Sequence, residues 1–301
     1  MSVLFTDSDC ELWHDQLESL NIRNIEMPYT IDDNEYFYDL GKTTDFKDFF
    51  NKLRKGKNST TSALNAENYK DIFEPIFASG EDILYISFSH AMSGTFNQLR
   101  TAVKELKEKY PERKLTMFNT NAISFPAGMQ AVEAARLKQN GLTDEEIVEK
   151  MKDFTNHVGC YFIVDNLMHL KRGGRLSTTA AIAGTLLSLK PVLTFDENGA
   201  LKVISKIIGR KAATNFLINK VVSDAVIDEN HEVYILDADC RAETEQMKKV
   251  INAKRPELDV KLQTIGPVIG SHCGPNLIAV VYKAKQRVIP VGDVNKAVEV
   301  L

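Results

Sequence analysis

Short apolar runs alternate with amphipathic stretches through the first half of the chain. Residues 83–88 are apolar, rich in β-branched and aromatic side chains and bounded by turn residues, which predicts a buried strand. Apolar side chains then recur at steps of three and four residues, at Phe96, Leu99, Val103, Leu106 and Tyr110. This spacing is typical of one face of a helix. The stretch therefore predicts a strand followed by a helix that begins near Ser93.

The same order of strand and helix recurs on both sides of that stretch. Residues 2–5 form a strand-like run before a helical stretch, and residues 115–118 form another before a helix over residues 126–138. Strands that alternate with helices favour a parallel sheet, whose ligands bind beyond the carboxyl ends of the strands. We expect an N-terminal parallel-sheet domain of the Rossmann or flavodoxin-like type.

The second half has a different pattern. Residues 192–195 and 201–204 flank the Asn198-Gly199 pair, which is a strong signal for a hairpin and so for antiparallel pairing. Helices and strands alternate again over residues 213–265. The sequence therefore predicts an α/β protein of two domains, with the parallel domain at residues 1–155 and a mixed or antiparallel α/β domain at residues 156–301.

Composition narrows the functional class. The chain of 301 residues is 44% hydrophobic and has a net charge of −4, so it lacks the basic footprint of a nucleic-acid-binding protein. Its four cysteines lie far apart, and the acidic Asp7 comes too early for a signal peptide. No apolar run approaches the roughly 18 residues that span a bilayer. We expect a cytoplasmic protein with no nucleic-acid partner and no transmembrane segment.

Polar residues at two strand-to-helix junctions are candidate ligand contacts. Ser93 lies where unpaired amide groups and the helix dipole favour an anion, although a serine there is more often only a helix cap. Asp7 and Asp9 follow the first strand, as paired aspartates do in some phosphotransferases. Acids are also favoured at helix starts, so we expect a capping role for them.

Two glycine-rich stretches in the second half add further candidates. Gly173 and Gly174 lie among three cations, which suits either a phosphate cradle or, more commonly, a tight connection. His272 lies in residues 266–275, where glycines allow a ligand to approach the backbone, so it is a functional candidate. Residues 180–187 are small enough to admit an apolar ligand or another helix.

Three stretches together resemble the DegV family of bacterial fatty-acid-binding proteins. They are SGTF at residues 93–96, LMHLKRGGRLS at residues 167–177 and IGPVIGSHCGP at residues 265–275. The likeness spans nearly the whole chain. It implies a two-domain α/β protein that holds one long-chain fatty acid, with the tail in the second domain and the carboxylate near the domain interface. It also implies a partner, a separate fatty-acid kinase that phosphorylates the acid.

The resemblance assigns the carboxylate site residue by residue. Thr61 and Ser93 correspond to the hydroxyls that bind the carboxylate, with Ser62 and Gly94 beside them, and His272 belongs to the same network. No catalytic residue, metal or cofactor is implied other than the bound fatty acid.

Two arginines are predicted to meet the partner. Arg172 and Arg175 make three cations in one turn with Lys171, and such a turn is better suited to an acidic protein surface than to an apolar tail. Departures from the family pattern lie elsewhere, at Ala63, Pro126 and Asn276, and they bear on loop shape and acyl preference.

Two functions from other classes remain open. One is a serine hydrolase in which Ser93 is the nucleophile and His272 the base, although Ser93 lacks the Gly-x-Ser-x-Gly elbow and no orienting acid is identifiable. The other is a sugar-phosphate or nucleotide-phosphate enzyme, although no phosphate-binding fingerprint follows a strand. Its candidate residues are Gly173, Gly174, Arg172 and Arg175.

Overall fold

The structure is a computed structural model that describes residues 2–176, 188–228 and 232–301. Its strands are β1 (Ser2–Asp7), β2 (Arg23–Ile25), β3 (Pro28–Ile31), β4 (Asn34–Phe37), β5 (Ser59–Thr61), β6 (Asp82–Ser87), β7 (Leu115–Asn119), β8 (Val158–Ile163), β9 (Leu189–Phe195), β10 (Leu201–Ile208), β11 (Val233–Asp237), β12 (Val260–Thr264), β13 (Ile278–Lys283) and β14 (Val298–Val300).

The helices lie between these strands. They are α1 (His14–Leu20), α2 (Phe46–Arg54), α3 (Ala66–Ala78), α4 (Thr95–Lys109), α5 (Phe125–Gln139), α6 (Asp144–Phe154), α7 (Met168–Arg172), α8 (Arg210–Asp224), α9 (Arg241–Lys254) and α10 (Pro267–Cys273). Short 3₁₀ turns cover Ser8–Cys10, Thr155–His157 and Val294–Ala297.

Side-chain caps fix where several helices begin. Asp45 accepts the amide N–H of Asp48 at 2.9 Å at the start of α2. Thr143 and Glu146 form the capping box of α6 that their spacing predicts. Each cap satisfies a backbone donor that a helix end would otherwise leave unpaired.

The first large sheet has the order β14-β7-β6-β1-β2. Neighbours among β1, β2, β6 and β7 pair in parallel, and α3 packs beside α4. This arrangement confirms the predicted parallel sheet with covering helices. The strand β14 adds antiparallel to β7, so the last residues of the chain return to the first sheet.

The second large sheet has the order β10-β9-β8-β13-β11-β12. Its pairs are antiparallel except β11 with β12, and the strands β9 and β10 form the hairpin predicted around Asn198-Gly199. The mixed sheet is therefore confirmed. The division at residue 155 stays a prediction, since β14 crosses back and one apolar core contains side chains from both halves.

A small third sheet, in the order β4-β3-β5, lies beside these two. Thr61 ends β5 and pairs with Tyr29, so it lies on a strand, whereas the polar run of residues 55–62 favours a loop. The Gly-rich stretch of residues 266–275 likewise contains the helix α10. Its Gly270 is required by packing, because a Cβ there would lie 2.8 Å from the ring of Phe49 on α2.

Two further predictions can be compared with the structure only within the residues that it describes. The small-residue segment at residues 180–187 lies outside the described residues. Among the helices that the structure describes, none is both long and apolar enough to cross a bilayer.

Candidate functional site

A cavity lies beyond the carboxyl ends of the parallel strands of the first sheet and against one face of the second sheet, and it takes side chains from both halves of the chain. Its space, including the opening to solvent, is about 850 Å³. From the first half it is lined by Asp9, Met27, Pro28, Thr61, Ser62, Phe88, Met92, Ser93, Ile123, Ser124 and Pro126. From the second half it is lined by Cys160, Phe162, Leu170, Arg175, Phe195, Leu201, Leu236, Val268, Ile269, His272, Cys273, Leu277 and Ala279.

One face of the second sheet forms the apolar floor of this cavity. Ala279 on β13 is flanked in register by Phe162 on β8 and by Leu236 on β11, and all three line the cavity. Phe195 and Leu201, which pair across the hairpin, extend the same floor. Cys160 and Phe162, two residues apart on β8, both line the cavity, as expected where side chains alternate across a strand.

Ser93 lies beyond the carboxyl end of β6 and lines the cavity. Its Oγ accepts the amide N–H of Thr95 at 3.2 Å, at the start of α4. Ser93 therefore pairs with one amide N–H at the helix start and also lines the cavity, so the capping and ligand-contact interpretations do not exclude each other. The helix itself begins two residues later than Ser93.

Thr61 and His272 meet although 211 residues separate them in the chain. Thr61 Oγ1 lies 2.8 Å from His272 Nε2, and both side chains line the cavity that Ser93 lines. Thr61 comes from the end of β5 and His272 from α10, which follows the carboxyl end of β12. Three residues predicted to form one site thus lie around one cavity.

The imidazole of His272 is neutral near physiological pH. Burial, together with the positive charge of Arg175, lowers its pKa to about 4. Its Nδ1 is buried without a hydrogen-bond partner among the described residues, and a Cβ on Gly173 would lie 2.1 Å from that nitrogen. Gly173 therefore lets the turn after α7 close over the ring, and only Nε2 is engaged.

Ser62 and Gly94 lie at the margins of the site. Ser62 lines the cavity but is exposed, and its Oγ donates to Glu35 Oε1 at 3.3 Å. Gly94 caps α4 and lines a neighbouring surface pocket with His90 and Arg100. Both are adjacent to residues that line the deeper part of the cavity.

Arg172 and Arg175 occupy different environments. Arg172 is exposed, and its guanidinium donates to Asn58 Oδ1 at 2.8 Å. Arg175 is half-buried, donates to the carbonyl of Met92 at 3.1 Å and lines both the cavity and the neighbouring surface pocket. Arg175 therefore faces the ligand space as well as the surface.

A buried acidic segment, Asp7 to Glu11, borders the cavity through Asp9. Burial raises the pKa of Asp7 to about 7 and that of Glu11 to about 8. Glu11 also accepts the amide N–H of Gly266, at 2.8 Å from Oε2, which ties this segment to the start of α10. Sequence reasoning missed Asp9 as a cavity residue, because an acid after a strand is indistinguishable from a cap.

The geometry disfavours both alternative enzymes. His272 Nε2 is engaged with Thr61 and not with Ser93, and its Nδ1 has no carboxylate among the described residues to orient it. Gly173 ends α7 and Gly174 has a left-handed φ of 71°, so these glycines serve the turn. Within residues 2–176, 188–228 and 232–301, no group of His, Cys, Asp or Glu is arranged to hold a metal.

Comparison with known proteins gives a family match over most of the chain. Residues 2–285 match the family model described as "Uncharacterised protein, DegV family". A DegV domain-containing protein of Clostridium perfringens is 36% identical over 280 residues, which is 93% of this chain and 96% of the relative.

Solved structures share the fold. DegV of Bacillus subtilis, described as a fatty acid binding protein, is 26% identical and has a TM-score of 0.79 over 94% of this chain and 99% of its own. A DegV family protein of Thermus thermophilus, described by its fatty acid binding, is also 26% identical, with a TM-score of 0.78 over 93% and 99% of the two chains.

Proposed function

The chain belongs to the DegV family, and on that premise we propose that it binds one long-chain fatty acid. The carboxylate lies beside Thr61, Ser93 and His272, and the tail runs over the apolar floor of the second sheet. The observation that carries the proposal is a polar cluster that opens directly into an apolar cavity. Fatty acid binding by two relatives of the same fold supports it.

The apolar floor supplies most of the binding energy. Each buried methylene contributes roughly 0.8 kcal/mol, so a chain of about fourteen methylenes gains on the order of 11 kcal/mol before ordering costs. Burial of the tail alone can therefore give tight binding, without a covalent step. This accounting supports a binding protein over an enzyme that releases its product.

The polar cluster orients the carboxylate. In neutral His272 a proton on Nδ1 would be left unpaired against Gly173, so we place the proton on Nε2, where it is donated to Thr61 Oγ1. The hydroxyl hydrogen of Thr61 is then free to point at the ligand. Ser93 donates its hydroxyl in the same way, since its Oγ accepts from the backbone.

We further propose that the bound acid is presented to a separate fatty-acid kinase in the cytoplasm, where it becomes an acyl phosphate. Exposed Arg172 suits contact with an acidic partner surface, and Arg175 reaches from that surface to the cavity. The four cysteines are unpaired, as a reducing compartment requires.

The experiment is native mass spectrometry of the protein purified from bacteria, followed by solvent extraction. We expect one long-chain fatty acid per chain, and uptake of palmitate or oleate by delipidated protein. Apo protein that takes up neither acid would contradict the proposal. Hydrolysis of acyl esters that is lost in Ser93→Ala would instead support the hydrolase.

A further inference from the structure

Asp9 is a buried acid whose position is not explained by its contacts with the described residues. Its side chain is only 4% exposed, lines the cavity, and leaves Oδ1 buried without a hydrogen-bond partner among the described residues. A buried carboxyl without a partner is costly, so such a group usually serves a ligand, a water or a strained site. The cavity it lines is the one that carries Thr61, Ser93 and His272.

The local turn does not need the Asp9 carboxyl. Asp7 caps the 3₁₀ turn Ser8–Cys10 by accepting the amide N–H of Asp9 at 3.0 Å, and it also accepts the hydroxyl of Tyr85 at 2.9 Å. The capping predicted for this pair of acids therefore belongs to Asp7. The Asp9 side chain is left to face the cavity.

The charges around Asp9 favour its neutral form. Burial, then the nearby carboxyls of Asp7 and Glu11, raise its pKa well above the ordinary range, against the opposing charge of Arg175. From other elements, Tyr69 on α3 lies close enough to respond to its charge, and neutral His272 on α10 lies beside Arg175. The start of α5, residues 125–129, packs on the turn and brings no ionisable side chain.

We propose that Asp9 is a further ligand-binding residue, whose neutral carboxyl donates a hydrogen bond to the carboxylate of the bound fatty acid. This inference rests on the proposed function. Of the two carboxyls, that of Asp9 and that of the fatty acid, only the Asp9 carboxyl is protonated. The ionised ligand then faces the positive charge of Arg175 without a second anion beside it.

The count of charges explains why the proton is needed. Two ionised carboxyls cannot share a small buried site, so one of them retains a proton. With Asp9 neutral, the ligand and Arg175 form one balanced pair beside neutral His272. The acid O–H of Asp9 then gains an acceptor that the described residues do not provide.

A pair of similar-sized substitutions tests the contact, with palmitate affinity as the readout. Asp9→Asn keeps a donor and cannot ionise, so we expect affinity within about threefold of wild type; Asp9→Leu removes the donor and should weaken binding about tenfold. Tighter binding by Asp9→Asn would mean that Asp9 is an anion that repels the ligand. Unchanged binding by Asp9→Leu would mean that no contact exists.

Infrared difference spectroscopy of the wild-type complex gives a second readout that does not depend on Asp9→Leu folding. With palmitate labelled by ¹³C at its carboxyl, we expect an unlabelled carboxylic-acid C=O band that disappears in Asp9→Asn. A band that moves with the label, or no acid band, would overturn the inference. Wild-type protein that binds no palmitate would instead contradict the proposed function.

Discussion

The two ends of the cavity differ in how the chain assembles them. The tail end, which is the part that we propose for the acyl chain, is a face of one continuous sheet, where register brings Phe162, Ala279 and Leu236 together. The head end is assembled from unconnected elements, with Thr61 on β5, Ser93 before α4 and His272 on α10.

This difference separates affinity from recognition. Apolar burial is non-directional and grows with chain length, so the sheet face supplies binding energy without fixing the ligand's orientation. Hydrogen bonds to the hydroxyls and imidazole at the head end are directional, so in the complex that we propose they fix where the carboxylate lies. Substitutions at the two ends should therefore change fatty-acid affinity by different amounts and with a different dependence on chain length.

Blocking the tail end should have the largest effect. Ala279→Phe fills the middle of the floor and removes room for about four methylenes, which costs roughly 3 kcal/mol, or about a hundredfold in palmitate affinity. A series of acids of decreasing chain length, measured by calorimetry, provides the control. The shortest acids should bind the variant and the wild type equally, and a uniform loss at every length would contradict the assignment of the floor.

The two arginines should separate the head end from the partner surface. Arg175→Gln removes a guanidinium that lines the cavity, and we expect palmitate affinity to fall about tenfold, since hydrogen bonds to charged groups contribute about 1.5–3 kcal/mol. Arg172→Gln is the matched control, because it removes an exposed cation from the same turn. Arg172→Gln should leave palmitate affinity within about twofold of wild type and slow phosphorylation of the bound acid by the kinase. Equal palmitate affinities in the two variants would mean that Arg175 serves docking and does not contact the ligand.

The buried acids at the head end should make stability fall as pH rises. The pKa of Glu11 is raised to about 8 from 4.5, so between these values the folded state keeps a proton that the unfolded state has lost. The free energy of unfolding should fall by at most about 1.4 kcal/mol per pH unit across that window. Glu11→Gln should flatten the profile in urea titrations.

The matched control for that profile is Glu145→Gln at the exposed start of α6, which should leave the slope unchanged. Asp7, whose pKa is raised to about 7, adds a slope of the same sign, so some pH dependence should persist in Glu11→Gln. Stability that rises with pH in the wild type between about 5 and 8 would contradict the burial of these carboxyls in neutral form.

Elements that local patterns specify could be predicted from the sequence. The strand and helix around Ser93 follow from apolar periodicity, and the hairpin of the second sheet follows from Asn198-Gly199. The helix α10 could not be predicted, because its seven residues include Gly270 and are flanked by Gly266 and Gly274, which are typical of a loop. Gly270 itself is set by its packing on Phe49. Such a helix is determined by tertiary contacts, which a local pattern does not contain.

The residues of the site also differ in how far the sequence alone predicts them. Ser93 stands out because the junction of strand and helix is visible in the sequence, whereas the pairing of Thr61 with His272 entered only through the family resemblance. Asp9 was missed because its burial depends on elements distant in the chain, such as α5, which packs on the turn Ser8–Cys10. The partner and acyl preference remain predictions.

The central claim is that Ser93 and Thr61 hold one carboxylate, and a double-mutant cycle between Ser93→Ala and Thr61→Val tests it most directly. Each single variant should lose roughly ten- to a hundredfold in palmitate affinity. Because both hydroxyls bind the same group, the double variant should lose less than the product of the two single losses. Strictly additive losses in free energy, or two single variants with wild-type affinity, would contradict the claim.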